Sequence, residues 1–202
     1  ADDGTVSAAA TLGRVVAAAA AAGCGRYDWR LIDPVDGSAG GQPGGNIRNA
    51  FLFKPARVEF VDRGPCGAAD PIRLGPGGEP GCSPGLIDPM NPAFAARDDG
   101  EGGSRRPLVG ELRFAGASLV LVNPHLPSQG GDDPLFGRRQ PPRESSSARR
   151  IRQAELVAGF VSELLGADPE ARVLVLGDLN DFEGSPPLAA LEAAGLENLV
   201  RR

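Results

Sequence analysis

Histidine and lysine each occur once in 202 residues, as His125 and Lys54, and cysteine occurs three times. One imidazole and three scattered thiols show no zinc-ligand spacing and exclude a His/Cys-rich metal centre. Three cysteines also exclude a disulfide scaffold, although Cys66 and Cys82 share one Gly/Pro-rich stretch and can pair, leaving Cys24 as a buried free thiol. A net charge of −5 excludes nucleic-acid binding by bulk electrostatics, so any such contact must come from local arginine clusters. No apolar run reaches the ~20 residues that span a bilayer. The run from Arg14 to Cys24 ends in Ala-Ala-Gly-Cys like a lipoprotein signal, but the acidic segment before it has the wrong charge for one.

What is abundant is glycine (29) and proline (19), roughly double their combined average share of ~12%. That composition, with 41% apolar residues, predicts one globular domain with long ordered loops around a sheet. Alanine richness predicts a helix over residues 5–22, capped by Asp3 or Thr5 and stopped by Gly23. Strands are expected over residues 27–32, 46–53 and 57–61, the last two as a hairpin around Lys54-Pro55-Ala56. Residues 62–106 show no periodicity and are expected to form a long irregular loop, functional, stapled or partly disordered. Residues 107–114 and 118–124 read as an antiparallel pair around Ala115-Gly116-Ala117. Apolar residues at three- to four-residue spacing predict a helix over residues 145–165 behind a serine-rich cap, ended by Gly166, with Arg149, Arg150 and Arg152 on its wet face. A buried apolar strand over 172–176 and a helix over 186–194 complete the reading.

Two strand ends carry the chemistry. The run Val173-Leu174-Val175-Leu176 stops in Gly177-Asp178-Leu179-Asn180-Asp181, and the run Leu119-Val120-Leu121-Val122 stops in Asn123-Pro124-His125. Carboxylates and amide oxygens position water or a hard cation such as Mg²⁺, and histidine assists the phosphoryl or leaving oxygens. Asp181 and Glu183 are candidates for assisting a metal or for capping the loop, while Asp132 and Asp133, in GGDDPLFG, read as turn formers and caps. Arg105-Arg106, Arg138-Arg139 and Arg149-Arg150-Arg152 are candidate phosphate forks.

Four ordered segments, GQPGGNIRNAFLF (41–53), SRRPLVGELRF (104–114), VNPHLPSQGGDDPLFGRRQPP (122–142) and VLVLGDLNDFEGSPPL (173–188), resemble the endonuclease/exonuclease/phosphatase superfamily, nearest its bacterial extracellular-nuclease branch. The resemblance runs roughly from Asp3 to Leu199. It implies an α+β fold, a four-layer α/β/β/α sandwich in a single domain over residues 1–202, incomplete at both ends. An Asn/Glu strand pair before residue 1 and an Asp-His strand after residue 202 are the elements it implies beyond this chain. It implies catalytic His125, Asp178 and Asn180, with Asp178 and Asn180 also at a metal, Mg²⁺ or else Mn²⁺ or Ca²⁺. Asn46, Arg48 and Arg105 are the implied substrate-binding residues.

The expected activity is metal-dependent phosphodiester hydrolysis on a nucleic acid substrate, DNA or RNA, by a secreted or cell-surface protein without a membrane or stable protein partner, with little or no turnover expected from these 202 residues alone. The alternatives are a phosphoesterase acting on a small or lipid phosphoester, and a non-catalytic remnant serving as a binding module.

Overall fold

The computed structural model describes residues 5–40, 45–95 and 103–201. In chain order its elements are α1 (Ala9–Ala21), β1 (Asp28–Arg30), β2 (Phe51–Phe53), β3 (Glu59–Phe60), β4 (Gly85–Leu86), β5 (Leu108–Phe114), β6 (Ala117–Asn123), α2 (Ser147–Ala167), β7 (Val173–Val175) and α3 (Pro186–Ala193). Two short 3-10 turns, Pro92–Phe94 and Leu199–Arg201, are added to these. The architecture is mixed α+β, with a two-stranded sheet β1-β2 and a five-stranded sheet in the order β3-β5-β6-β7, in which β4 also pairs with β5.

Alternation along the central hairpin decides how these layers stack, because successive strand residues face opposite sides of a sheet. Val109, Val120 and Val122 point to one face, into a core with Val157, Phe160 and Leu164 of α2 and Leu191 of α3. Leu108 and Leu121 point to the other, against Phe51 and Phe53 of β2 and Phe60 of β3. Gly110 lies on this second face, where a Cβ would sit 2.9 Å from the rings of Phe51 and Phe60. Helices α2 and α3, the large sheet and the small sheet are thus three successive layers. The hairpin turns through Ala115 (φ 49°) and Gly116 (φ 79°), the two left-handed residues that a tight two-residue connection requires.

Strands β6 and β7 run parallel, so α2 must carry the chain back between them. Among the described residues β7 pairs only with β6, which leaves it half-exposed and Leu176 46% exposed rather than buried as its apolar run predicted. The expected hairpin over residues 46–61 does not form: β2 pairs with β1 and β3 with β5. The turn after Lys54 instead carries the chain from one sheet to the other, and Phe53 stacks on Phe60 at 5.4 Å across the gap.

Apart from the short strand β4, the described residues of segment 62–106 are held by isolated bridges and turns rather than long ladders, which is why the segment lacks periodicity. Arg63 and Ser83 exchange both backbone hydrogen bonds at 3.0 Å, and the Ile72 N–H donates to the Leu86 carbonyl at 2.8 Å. The Cys66–Cys82 disulfide staples the same stretch, with Cα atoms 6.0 Å apart. Cys24 is exposed, not buried, because α1 contributes no buried residue and its end lies at the surface.

Helix α1 starts at Ala9, later than its alanine run predicts. The Ala9 N–H donates to the Ser7 hydroxyl and the Ala8 N–H to the Asp33 carboxylate, so Thr5 is not the cap, and Asp3 lies outside the described residues. Gly23 ends this helix at φ 80°. Helix α2 runs through Gly166 to Ala167 and stops at Asp168.

Candidate functional site

The tips of β6 and β7 meet because glycine stands at 177. A Cβ there would lie 2.0 Å from the Pro124 carbonyl oxygen, an impossible contact, so only glycine lets the two chains approach this closely. The approach continues the parallel pairing one step past the strands: His125 bridges to Asp178, and the Leu126 N–H donates to the Asp178 carbonyl at 2.9 Å. His125 and Asp178 are thereby placed side by side, with His125 Nε2 3.5 Å from Asp178 Oδ2. That separation is an electrostatic contact and too long for a hydrogen bond.

Beyond Asp178 the chain turns sharply. Asp178 Oδ1 accepts the Asn180 N–H at 3.0 Å, and Asn180 takes the left-handed conformation (φ 48°) that asparagine tolerates better than most residues. This points the Asn180 amide at the Leu126 carbonyl, to which Nδ2 donates at 2.9 Å. Arg105 reaches the same carbonyl through Nη2 at 3.4 Å. Four of the six residues expected at the site, Arg105, His125, Asp178 and Asn180, therefore converge on one strand-end cluster.

Arg105 is the unusual member. Its Nε is buried without a hydrogen-bond partner, and burial pulls its pKa below the usual value, against the raising influence of Asp178. A guanidinium stays charged even so. Burial likewise lowers the pKa of His125, and the Arg105 cation lowers it further, while Asp178 pulls the other way. The cluster thus offers an inward cation, an imidazole and an amide beside one exposed carboxylate.

Asn46 and Arg48 do not join this cluster. The Asn46 amide donates to Asp36 at 2.8 Å and accepts the Gly37 N–H, while Arg48 forms an ion pair with Asp33. Arg48 instead lines a mainly apolar cavity of about 120 Å³ with Ile32, Val35, Ile47 and Arg106. The residue of that segment that reaches the strand ends is Asn49, which is buried and donates to the carbonyls of Asn123 (2.8 Å) and Arg106 (3.1 Å).

The loop that carries Asn180 is braced from α2. Arg150, 3% exposed, donates from Nε to Asp181 at 2.9 Å and lies 3.7 Å from Asp132. It is not on the wet face of the helix, and Asp181 is committed to it. Ser146 is the N-cap residue of α2 but makes no side-chain capping bond; Asp132 accepts its N–H at 2.8 Å and the hydroxyls of Ser145 and Ser146. Burial opposes the ionisation of Asp132, but the hydrogen bonds from Ser146 and Ser145 and the Arg150 charge outweigh it and hold its pKa low. The helical period carried the signal for Arg150: it stands four, seven and eleven residues before Ala154, Val157 and Val161, on the buried face.

The donor set can be tested against a cation. Asp178 is exposed, and Asn180, anchored through Nδ2, keeps its Oδ1 available, so two hard oxygens lie on one loop. Among the described residues no group of three His, Cys, Asp or Glu side chains is placed to hold a metal. The fit is to an ion that retains several waters, as Mg²⁺ does. A scan against known protein families finds no matching model, and a search of curated proteins finds no match.

Proposed function

We propose that the protein hydrolyses phosphodiesters, as a nuclease of the endonuclease/exonuclease/phosphatase type acting outside the cell. The observation that carries this reading is the Arg105 guanidinium, partly buried, with one long hydrogen bond to a carbonyl and an Nε without an acceptor, beside a histidine and an amide at two strand ends. Arg105 as a whole is only partly buried, so its guanidinium, rather than the enclosed Nε itself, can meet a phosphate oxygen, and charge-assisted hydrogen bonds to phosphate are among the strongest a side chain makes. Arg105 neutralises charge developing on the phosphoryl oxygens, and His125 donates its N–H to the same group. Asn180 fixes the loop. Asp178, the one exposed carboxylate of the cluster, orients the attacking water. Asp178 and Asn180 would also hold Mg²⁺, or Mn²⁺ or Ca²⁺ in its place, and the ion when bound supplies further charge neutralisation and an acidified water.

A helix layer on one face of the large sheet and a small sheet on the other are compatible with three of the four layers of an α/β/β/α sandwich. The Cys66–Cys82 disulfide fits an oxidising, extracellular setting. A small or lipid phosphoester would use the same phosphate chemistry, and a binding module would keep the affinity without turnover.

Supercoiled plasmid nicking in Mg²⁺ or Mn²⁺ tests the reaction. It is expected to be lost in chelator and in Asp178→Ala, and nicking unaffected by either would overturn the reading. Independently of turnover, Mn²⁺ should broaden the amide resonances around Asp178 and Asn180 first, and uniform broadening along the chain would dismiss them as ligands.

A further inference from the structure

Two loops fastened to this site hold large apolar side chains in water. Phe136 is 94% exposed, Leu135 67% and Phe182 76%. A single exposed aromatic is unremarkable, but these three stand on backbone that is tied down. Asp133 accepts the Arg143 N–H at 2.8 Å, the Gly137 N–H donates to the Pro134 carbonyl at 2.8 Å, and Gln140 donates to the carbonyls of Leu135 and Gly137 at 3.1 Å each. The loop of Phe136 is joined to the loop of Phe182 through Asp132, Arg150 and Asp181, and Gln129 donates to the Asn180 carbonyl at 3.3 Å. Phe136 and Phe182 thus rise from the same braced frame that positions Asn180.

The loop of Phe136 carries both signs of charge, with Asp132 and Asp133 before the phenylalanine and the cations Arg138, Arg139 and Arg143 after it, followed by Glu144. Arg138, Arg139 and Arg143 are exposed on its loop, and Arg139, 3.8 Å from Asp133, keeps over half of its side chain in solvent. Exposed aromatic faces interleaved with arginine match a strand of unstacked bases on a phosphate backbone. A duplex keeps its base faces inside the stack and cannot use them.

Building on the phosphodiesterase reading above, we propose that this rim selects unpaired nucleic acid, with bases stacked on Phe136 and Phe182 and phosphates held by Arg138, Arg139 and Arg143. The substrate class of the site is then single-stranded, or locally melted, DNA or RNA.

Fluorescence anisotropy tests this on the full chain with three probes of equal length: labelled oligo-dT, an abasic deoxyribose-phosphate oligomer, and a blunt duplex. Oligo-dT should bind most tightly, and Phe136→Ala and Phe182→Ala should each weaken it at least about fivefold. The abasic oligomer should be insensitive to both, and Arg138→Ala/Arg139→Ala should weaken all three probes. Equal affinity for oligo-dT and the abasic oligomer, or no effect of the phenylalanine variants, would overturn the proposal. So would binding to anionic phosphatidylserine vesicles, lost in Phe136→Ala, in place of oligonucleotide binding. Hydrolysis of bis(p-nitrophenyl) phosphate, measured in parallel, separates the two readings. If it depends on Asp178 while the oligonucleotides show no base dependence, only the rim proposal fails. If base-dependent binding holds without any hydrolysis, the catalytic reading fails and the rim stands.

Discussion

Arg105 and Arg150 are two inward-facing guanidiniums beside one loop, and their surroundings are opposite. Arg150 is saturated: Asp181 accepts from it at 2.9 Å, Asp132 lies at 3.7 Å, and the Ser146 hydroxyl completes the set. Arg105 has one long hydrogen bond to a carbonyl and a buried Nε with none. A cation surrounded by carboxylates adds to the fold chiefly by keeping those carboxylates company, whereas one left without an anion stands ready for a ligand that brings the charge. The difference separates scaffold from site more clearly than sequence position does.

That contrast breaks if the two variants behave alike. Arg150→Ala leaves Asp132 and Asp181 buried without their cation and should cost about 3 kcal/mol or more of stability. Chemical denaturation followed by circular dichroism reads this directly, and an unchanged midpoint would strip Arg150 of its structural role. Arg105→Gln removes a partly buried charge that Asp178 offsets only in part, and should shift stability by under ~1 kcal/mol in either direction. Its effect belongs on ligands: inorganic phosphate or a short oligonucleotide should bind more weakly, seen by calorimetry, while the fold stays put.

A second comparison within the same loop concerns backbone. Gly177→Ala forces a methyl onto the Pro124 carbonyl and should cost roughly 1–3 kcal/mol as the β6 and β7 tips separate. Gly166→Ala, in the last turn of α2 with nothing within 4 Å of its Cβ, should be neutral or stabilising by up to ~1 kcal/mol. Equal effects on thermal unfolding would mean that the close approach at Gly177 is not what sets the strand ends.

Where periodicity was strong, the sequence could be read. The β5–β6 hairpin, α2, β7 and α3 follow from apolar spacing and from turn residues that have one conformational use each. The Cys66–Cys82 pair follows from proximity in the chain. The hairpin over 46–61 was misread because Lys54-Pro55-Ala56 shows a turn but not which partner each flanking strand takes, a choice made by Phe53 and Phe60 stacking across two sheets. The same limit governs the site. Strand-end polarity marked His125, Asp178 and Asn180, which sit on consecutive parallel strands, whereas Asn46 and Arg48 found the nearer carboxylates Asp36 and Asp33 that motif matching does not weigh. Asn49 was missed, and Arg150 was placed on the wet face, because a polar residue inside an apolar pattern is legible only when its long-range partners are known.

The smallest expected effect is also the cleanest to observe, because the chain holds one histidine. The imidazole resonances of His125 should titrate below the ordinary value of ~6.5, since burial and the Arg105 cation both disfavour the charged form. Arg105→Gln removes the cation and should move that midpoint upward, towards the ordinary value, whereas Asp178→Asn removes the one opposing charge and should move it further down. The sign for stability follows. The unfolded chain binds the proton more readily than the folded one, so this histidine costs nothing above the unfolded pKa and destabilises the fold progressively as pH falls below ~6.5. Arg105→Gln should blunt that acid sensitivity. A His125 midpoint that ignores both variants would place Arg105 and Asp178 too far from the imidazole to share a phosphate with it.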